Sequence, residues 1–148
     1  MKLSLRGEYA LRALVVLGMA PPNSVVPIQT ISREQNIPKR FLEQILNDLR
    51  AGGFLVSKRG ISGGYRLALP PEKLPLASVI RHVEGALAPV SCVSEKFYGR
   101  CTCPNEAQCG IRSVMKEVRD AIVNILENVS VGDLASAFGS CGGSCKGL

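Results

Sequence analysis

The sequence contains no tryptophan, a single histidine and no long uncharged apolar run. The longest apolar stretch, Ala13–Pro22, is far shorter than the ~20 residues that a membrane-spanning helix needs. Charges at positions 2, 6, 8 and 12 interrupt the N-terminal apolar pattern, whereas a secretory signal peptide has an uncharged apolar centre. We therefore expect a cytoplasmic protein that makes no membrane contact.

Catalytic signatures are missing as well. The sequence shows no P-loop, no Ser/His/Asp arrangement and no paired catalytic carboxylates, and its single histidine further limits acid–base chemistry. We expect the chain not to be an enzyme. Its 148 residues, of which 46% are hydrophobic, are sufficient for one globular domain with an appendage.

The net charge of +6 lies entirely in the first 88 residues, which have twelve basic and six acidic side chains, whereas positions 89–148 have six of each. All six cysteines lie in that second, neutral part. A basic module favours a polyanionic partner, because contacts with phosphates release counterions. From charge alone, the alternative is a solvated basic surface that binds nothing.

Apolar spacing predicts a mainly α fold with one small β-hairpin. Pro27 is expected at the first helical position of the second helix, and Ser130 with Asp133 resembles a capping box. Two short helices joined by a tight turn and followed by a hairpin indicate a winged helix-turn-helix. The predicted helices span 5–19, 27–34, 39–51, 75–83, 110–128 and 130–138, and the predicted strands span 54–57 and 65–69.

The second helix of such a motif places its first residues against base edges in the major groove. Here that helix begins with two cations, followed by Glu43 and Gln44, and these residue types can pair with guanine, cytosine and adenine. The hairpin turn carries another pair of cations beside Gly60, and it is expected to reach a phosphate or the minor groove. The cations are Lys39, Arg40, Lys58 and Arg59.

Four of the cysteines lie in an aperiodic segment, in the pattern Cys92-x8-Cys101-x-Cys103-x5-Cys109. Disulfides are disfavoured in the reducing cytoplasm, so the thiols call for another role. The long, uneven gaps fit an iron–sulfur cluster better than zinc, which usually takes pairs of ligands two to four residues apart. Zinc and redox-active thiols remain alternatives at this point.

Together these segments resemble the winged-helix transcription regulators that include IscR, NsrR and CymR, and most of all their iron–sulfur-sensing branch. The resemblance spans roughly residues 1–135. It rests on the opening Met1–Ala10, on Phe41–Arg50 as the recognition helix and on Lys58–Tyr65 as the wing.

The resemblance implies a homodimer, formed through the long helix Ile111–Val129, that binds a roughly palindromic double-stranded DNA operator. It also implies a cluster, of the [2Fe–2S] rather than the [4Fe–4S] type, held by Cys92, Cys103 and Cys109. The expected organisation is a DNA-binding domain at 1–88, a cluster-binding loop at 89–109, a dimerisation helix with a short terminal helix at 110–138, and a flexible Gly/Cys tail at 139–148.

Two departures from the family pattern leave the fourth ligand open. Arg112 stands where IscR-like proteins supply a histidine, and arginine stays protonated and cannot be an ordinary ligand. The chain also has an additional loop cysteine, Cys101. The candidates are Cys101, Glu8 (which NsrR-like relatives supply from the partner subunit), and either a tail cysteine, Cys141 or Cys145, or an exogenous ligand.

The resulting hypothesis is a homodimeric transcription regulator whose operator binding responds to an iron–sulfur cluster, and thus to redox state or iron supply. One alternative keeps the DNA-binding fold but replaces the cluster with zinc or a thiol/disulfide switch. An alternative of another class is a small electron carrier or cluster scaffold, in which the basic half docks an acidic protein.

Overall fold

Six helices and one two-stranded hairpin make up the fold in a computed structural model that describes residues 2–140. The fold class is therefore the expected one, mainly α with a small β-hairpin. The helices are α1 (Leu5–Met19), α2 (Ile28–Gln35), α3 (Lys39–Ala51), α4 (Leu76–Glu84), α5 (Gly110–Asn128) and α6 (Val131–Ser140), and the strands are β1 (Leu55–Lys58) and β2 (Gly64–Leu67).

Short-range signals set several of the helix ends. The Ser4 side chain accepts a hydrogen bond from the Gly7 amide at 3.1 Å and caps α1, as expected. Pro27 is the N-cap of α2, so its expected place at the first helical position is wrong by one residue. Asn36 ends α2 in the left-handed conformation, with φ of 50°, which asparagine tolerates better than most residues.

The first three helices share one apolar core. The buried face of α3 carries Leu42, Ile45, Leu46 and Leu49. The residues between them at positions 43, 44, 47 and 50 are exposed, which gives α3 one buried and one exposed face. Ile31 of α2 is fully buried in the same core, so the helix-turn-helix is held together by apolar contact.

The hairpin pairs β1 with β2 antiparallel, with Leu55 opposite Leu67 and Lys58 opposite Gly64. It is also joined to the segment before α2, where the backbone of Val26 exchanges hydrogen bonds of 2.8 and 2.9 Å with Tyr65. A Cβ at Gly64 would lie 2.4 Å from the Val26 carbonyl oxygen, so this close approach requires glycine.

The long helix α5 has the expected bounds, but its only buried residue is Arg119. The chain then returns to the core through α6, which packs against α1. This last helix extends to Ser140, two residues beyond the expected end. No helix in the described part of the chain is long and apolar enough to span a membrane.

A reciprocal capping box starts α6, as expected. The Asp133 amide donates to Ser130 Oγ at 3.1 Å, and Asp133 Oδ2 accepts from the Ser130 amide at 2.8 Å. These hydrogen bonds from the Ser130 hydroxyl and amide hold the pKa of Asp133 below its ordinary value of 3.8.

We expect Asp133→Asn to lower the free energy of unfolding at neutral pH. A carboxyl whose pKa is depressed by folding stabilises the native state above its unfolded pKa, and this stability is lost as the pH falls through the folded pKa. The difference between the two proteins should therefore shrink as the pH drops below 3.8. Urea unfolding across a pH series measures this, and a difference that stays constant in acid would contradict it.

Candidate nucleic-acid interface and cysteine site

The exposed side of α3 carries the four residues that were expected to contact bases. Lys39 and Arg40 occupy the first turn, and Glu43 and Gln44 follow one turn later, all four exposed. Pro38 precedes the helix, and Ile37, which is buried, anchors the turn before it. The buried apolar face of α3 therefore fixes which side chains point outward.

The hairpin turn presents the second set of expected residues. Lys58, Arg59 and Gly60 are exposed, and Gly60 has φ of 109°, a conformation that favours glycine. Ile61 beside them is fully exposed, a feature that the sequence analysis missed. A Cβ at Gly63 would lie 2.5 Å from the Lys58 carbonyl oxygen, so this turn tolerates no side chain there.

The positive charge of these two segments is not neutralised internally. None of the four cations on α3 and the hairpin turn forms an ion pair within the described residues. Arg50, at the other end of α3, donates to Ser57 Oγ at 3.0 Å and ties the helix to β1. The surface therefore offers unpaired cations to a polyanion.

All four loop cysteines line one surface recess of about 410 Å³, beside the N-terminus of α5. Cys92 is buried in a short 3-10 turn, Ser91–Val93, while Cys101 and Cys109 are half-buried and Cys103 is exposed. Arg100 and Arg112 line the same recess. The chain thus brings the three expected ligands and the additional cysteine together.

The thiols interact with one another. The sulfurs of Cys103 and Cys109 are 3.6 Å apart, and the Cys101 side chain interacts with both Cys92 and Cys103. Two thiolates that share a tetrahedral metal at about 2.3 Å are themselves about 3.8 Å apart. The Cys103–Cys109 pair is therefore spaced as two ligands of one metal would be.

The environment gives the thiols different proton affinities. Burial, followed by the charge of Cys101, raises the pKa of Cys92. Hydrogen bonds with Cys101 and Cys109 raise the pKa of Cys103 to about 12. The backbone amide of Arg112 in the first turn of α5, followed by the thiol of Cys103, lowers the pKa of Cys109. Of these three thiols, Cys109 most readily becomes a thiolate.

Arg112 occupies the place where a histidine ligand was expected from the family pattern. Its Nε lies 3.3 Å from the Cys92 carbonyl oxygen and 3.3 Å from Glu106 Oε1. It therefore holds the loop against α5 and offers no lone pair to a metal. Among residues 2–140, no three His, Cys, Asp or Glu side chains are arranged as a preformed metal site. Ligation of a metal therefore requires rearrangement of the loop side chains.

Arg119 is the residue at this site that the sequence analysis missed. It is 8% exposed, and its guanidinium donates to the Val93 carbonyl at 3.0 Å and pairs with Glu95 at 3.0 Å and with Asp120. A cation within the apolar pattern of α5, between Met115 and Ile122, was the available signal. Arg119 fixes the segment that contains Cys92.

The remaining candidate ligands are not at the recess within one chain. Glu8 is exposed, pairs with Arg12 at 3.3 Å and does not line the recess. Cys141 and Cys145, expected in a flexible tail from 139 to 148, lie outside the described residues.

Comparison with known proteins shows what the chain is similar to. A family model described as "Rrf2: Iron-dependent Transcriptional regulator" matches residues 3–137. The protein rrf2 of Nitratidesulfovibrio vulgaris is 33% identical, over 95% of this chain and 91% of that protein. The HTH-type transcriptional regulator IscR of Aliivibrio salmonicida is 31% identical, over 90% of this chain and 77% of that protein.

A solved structure shares the fold. The structure of CymR, the global cysteine regulator of B. subtilis, matches with a TM-score of 0.78 and 28% identity, over 93% of this chain and 98% of that one. These similarities confirm the expected family resemblance and the winged-helix fold. The relatives are transcription regulators, which confirms that the chain is not an enzyme.

The unequal thiol environments predict an order of chemical modification. In the metal-free protein at neutral pH, we expect iodoacetamide to modify Cys109 before Cys103, although Cys103 is more exposed, because only the thiolate is nucleophilic. Peptide mass spectrometry after short labelling times measures this order. Arg112→Met should slow the labelling of Cys109, since the Arg112 side-chain charge also lowers its pKa. Faster labelling of Cys103 would contradict the assignment.

Proposed function

The chain belongs to the Rrf2 family of transcription regulators, and on that premise we propose that it is a homodimeric regulator whose binding to double-stranded DNA is controlled by an iron–sulfur cluster. The observation that carries the proposal is the meeting of four thiols in one recess at the start of α5. In the same chain, four exposed cations on α3 and on the hairpin turn form no ion pair within residues 2–140.

Contact with DNA is assigned to the exposed side of α3 and to the hairpin turn. Lys39, Arg40, Glu43 and Gln44 would face base edges in the major groove. Lys58, Arg59 and Gly60 would reach the backbone or the minor groove. This assignment is supported by the absence of internal ion pairs at the four cations, within residues 2–140.

Dimerisation is assigned to α5. Its exposed side carries a stripe of large apolar side chains that a soluble monomer rarely leaves in water. A second copy of the same helix would cover this stripe by twofold symmetry, and would place two DNA-binding surfaces on one operator. The stripe consists of Ile111, Val114, Val118 and Ile125.

The chemistry of the recess suits an iron–sulfur cluster. Thiolates are the ligands that such clusters take, and Cys92, Cys103 and Cys109 would hold a [2Fe–2S] cluster in this proposal. Bound there, the cluster would supply bonds between the loop and α5 that depend on iron supply and oxidation state. The same thiols could instead hold zinc or form a disulfide, and the close Cys103–Cys109 pair favours the latter among the alternatives.

A series of polar contacts leads from the recess to the recognition helix. Arg119 joins the cysteine loop to α5, and Arg81 of α4 pairs with Glu127 of α5 at 2.8 Å. His82 of α4 in turn contacts the Asp48 carbonyl oxygen of α3 at 3.1 Å. Coupling of ~1–3 kcal/mol along such a route would change operator affinity about 5- to 150-fold.

The DNA-binding assignment predicts different effects for the two sets of cations. We expect Arg40→Ala to weaken binding to an operator selected from random duplexes by ~1–3 kcal/mol and to relax its base preference. Arg59→Ala should weaken binding to all duplexes. It should also reduce the slope of log affinity against log salt concentration by about 1 per subunit. Fluorescence anisotropy across a salt series measures both effects.

The matched control for these variants is Lys73→Ala. Lys73 is exposed and lies in the short 3-10 turn Pro71–Lys73, which packs against α6 rather than belonging to α3 or the hairpin. The operator affinity of the Lys73→Ala variant, and the salt dependence of that affinity, should match those of the wild type. Equal losses in all three variants would indicate a general charge effect and would remove the support for a specific interface.

The cluster assignment predicts a coloured protein. After anaerobic purification with a cluster supply, we expect visible absorption with iron and sulfide in near-equal amounts, and Cys92→Ala should abolish both. Ser91→Ala, a neighbouring substitution in the same recess, should leave them unchanged. A colourless wild type with zinc or no metal would overturn cluster control and leave the DNA-binding function in place.

A further inference from the structure

The loop carries one thiol more than the three that family resemblance implies. We propose that Cys101 is the fourth ligand of the metal centre, so that one subunit supplies four thiolates and Glu8 of the partner subunit supplies none. This inference rests on the proposed function for the presence of a metal centre in the loop, and it goes further by assigning the complete ligand set.

The position of Cys101 among the thiols is the first argument. It lines the same recess as Cys92, Cys103 and Cys109. Its side chain interacts with Cys92 on one side and with Cys103 on the other, and Cys103 in turn lies 3.6 Å from Cys109. Cys101 therefore lies among the other three thiols, and a metal centre held by those three would have a fourth thiol in the same recess.

The rival candidates within residues 2–140 are otherwise engaged. Glu8 is paired with Arg12 one helical turn away on α1 and does not line the recess of its own subunit. Arg112 is protonated and is held by Glu106 and the Cys92 carbonyl. His82, the one histidine of the chain, contacts Asp48 of α3 instead.

The charge around the recess suits an all-thiolate set. Four thiolates are more negative than three thiolates with a neutral histidine, and nearby cations offset such charge. Arg100 and Arg112 both line the recess. Because replacing imidazole by thiolate lowers the potential of a two-iron cluster, the centre should be harder to reduce than that of a relative with a histidine ligand.

The absorption spectrum of bound cobalt(II) reports the number of thiolate ligands. In the anaerobic, metal-free full-length chain, the intensity of sulfur-to-cobalt charge-transfer absorption per bound Co²⁺ rises with the number of thiolate ligands. We expect Cys101→Ser to lose about a quarter of this intensity, as a tetrahedral S₄ site becomes S₃. Glu8→Gln and Thr102→Ala should retain all of it, and Thr102 is the matched control because it lines the same recess.

The outcomes separate the ligands from one another. Full intensity in Cys101→Ser would overturn the proposal, and so would a change of spectrum in Glu8→Gln or a wild type that binds no Co²⁺. Circular dichroism of each variant shows whether it is folded. Cys101→Ala provides a second variant without a hydroxyl that could replace the sulfur as a donor.

The same samples separate this proposal from the proposed function. Iron and sulfide analysis after anaerobic cluster supply tests whether the centre is an iron–sulfur cluster. A wild type that shows the four-thiolate cobalt spectrum but takes up no iron and sulfide would overturn cluster control while retaining Cys101 as a ligand. A wild type that takes up the cluster, together with a Cys101→Ser variant of unchanged cobalt and cluster spectra, would overturn only the assignment of Cys101.

Discussion

The buried guanidinium of Arg119 is the interaction on which the rest of the cysteine site depends. A charge removed from water must be paired and hydrogen-bonded, and Arg119 finds its partners in the Val93 carbonyl, Glu95 and Asp120. Two of these partners lie in the loop and one lies on α5. The hydrogen bonds and ion pairs of the Arg119 side chain therefore hold the loop against the helix. The position of Cys92, one residue before Val93, follows from it.

The two halves of the chain carry different functional groups, exposed cations in the first and thiols in the second. The basic half builds an apolar core under α3. The four outward cations on α3 and the hairpin turn form no ion pair with any other residue that the structure describes. The other half has little core of its own, because α5 buries only Arg119. Its thiols lie on a loop fixed by polar contacts, which can be remade more easily than a packed core.

Local signals in the sequence predicted the helices well because each end has a nearby cause. Ser4, Gly52 and the Ser130–Asp133 pair act within one turn of the helix that they bound. The start of α1, the end of α3 and the start of α6 were therefore predictable, and Pro27 was misplaced only by one residue. The candidate site was harder to predict from the sequence, because the approach of Cys92 to Cys101 depends on how a long aperiodic loop folds back. Arg119 pairs with Glu95, 24 residues earlier in the chain, and with Val93, 26 residues earlier. No periodic pattern in a sequence indicates contacts at these separations.

Cys109 belongs to two structures at once, since it lines the thiol recess and is also the residue from which α5 begins. The first amides of a helix have no partners within it and favour an anion, and here they face the Cys109 sulfur. Alkylating that sulfur, or joining it to another in a disulfide, would take the anion away from the helix end. The first turn carries Ile111 and Val114, so damage to a single sulfur atom would reach the surface through which two copies of the protein are proposed to recognise each other.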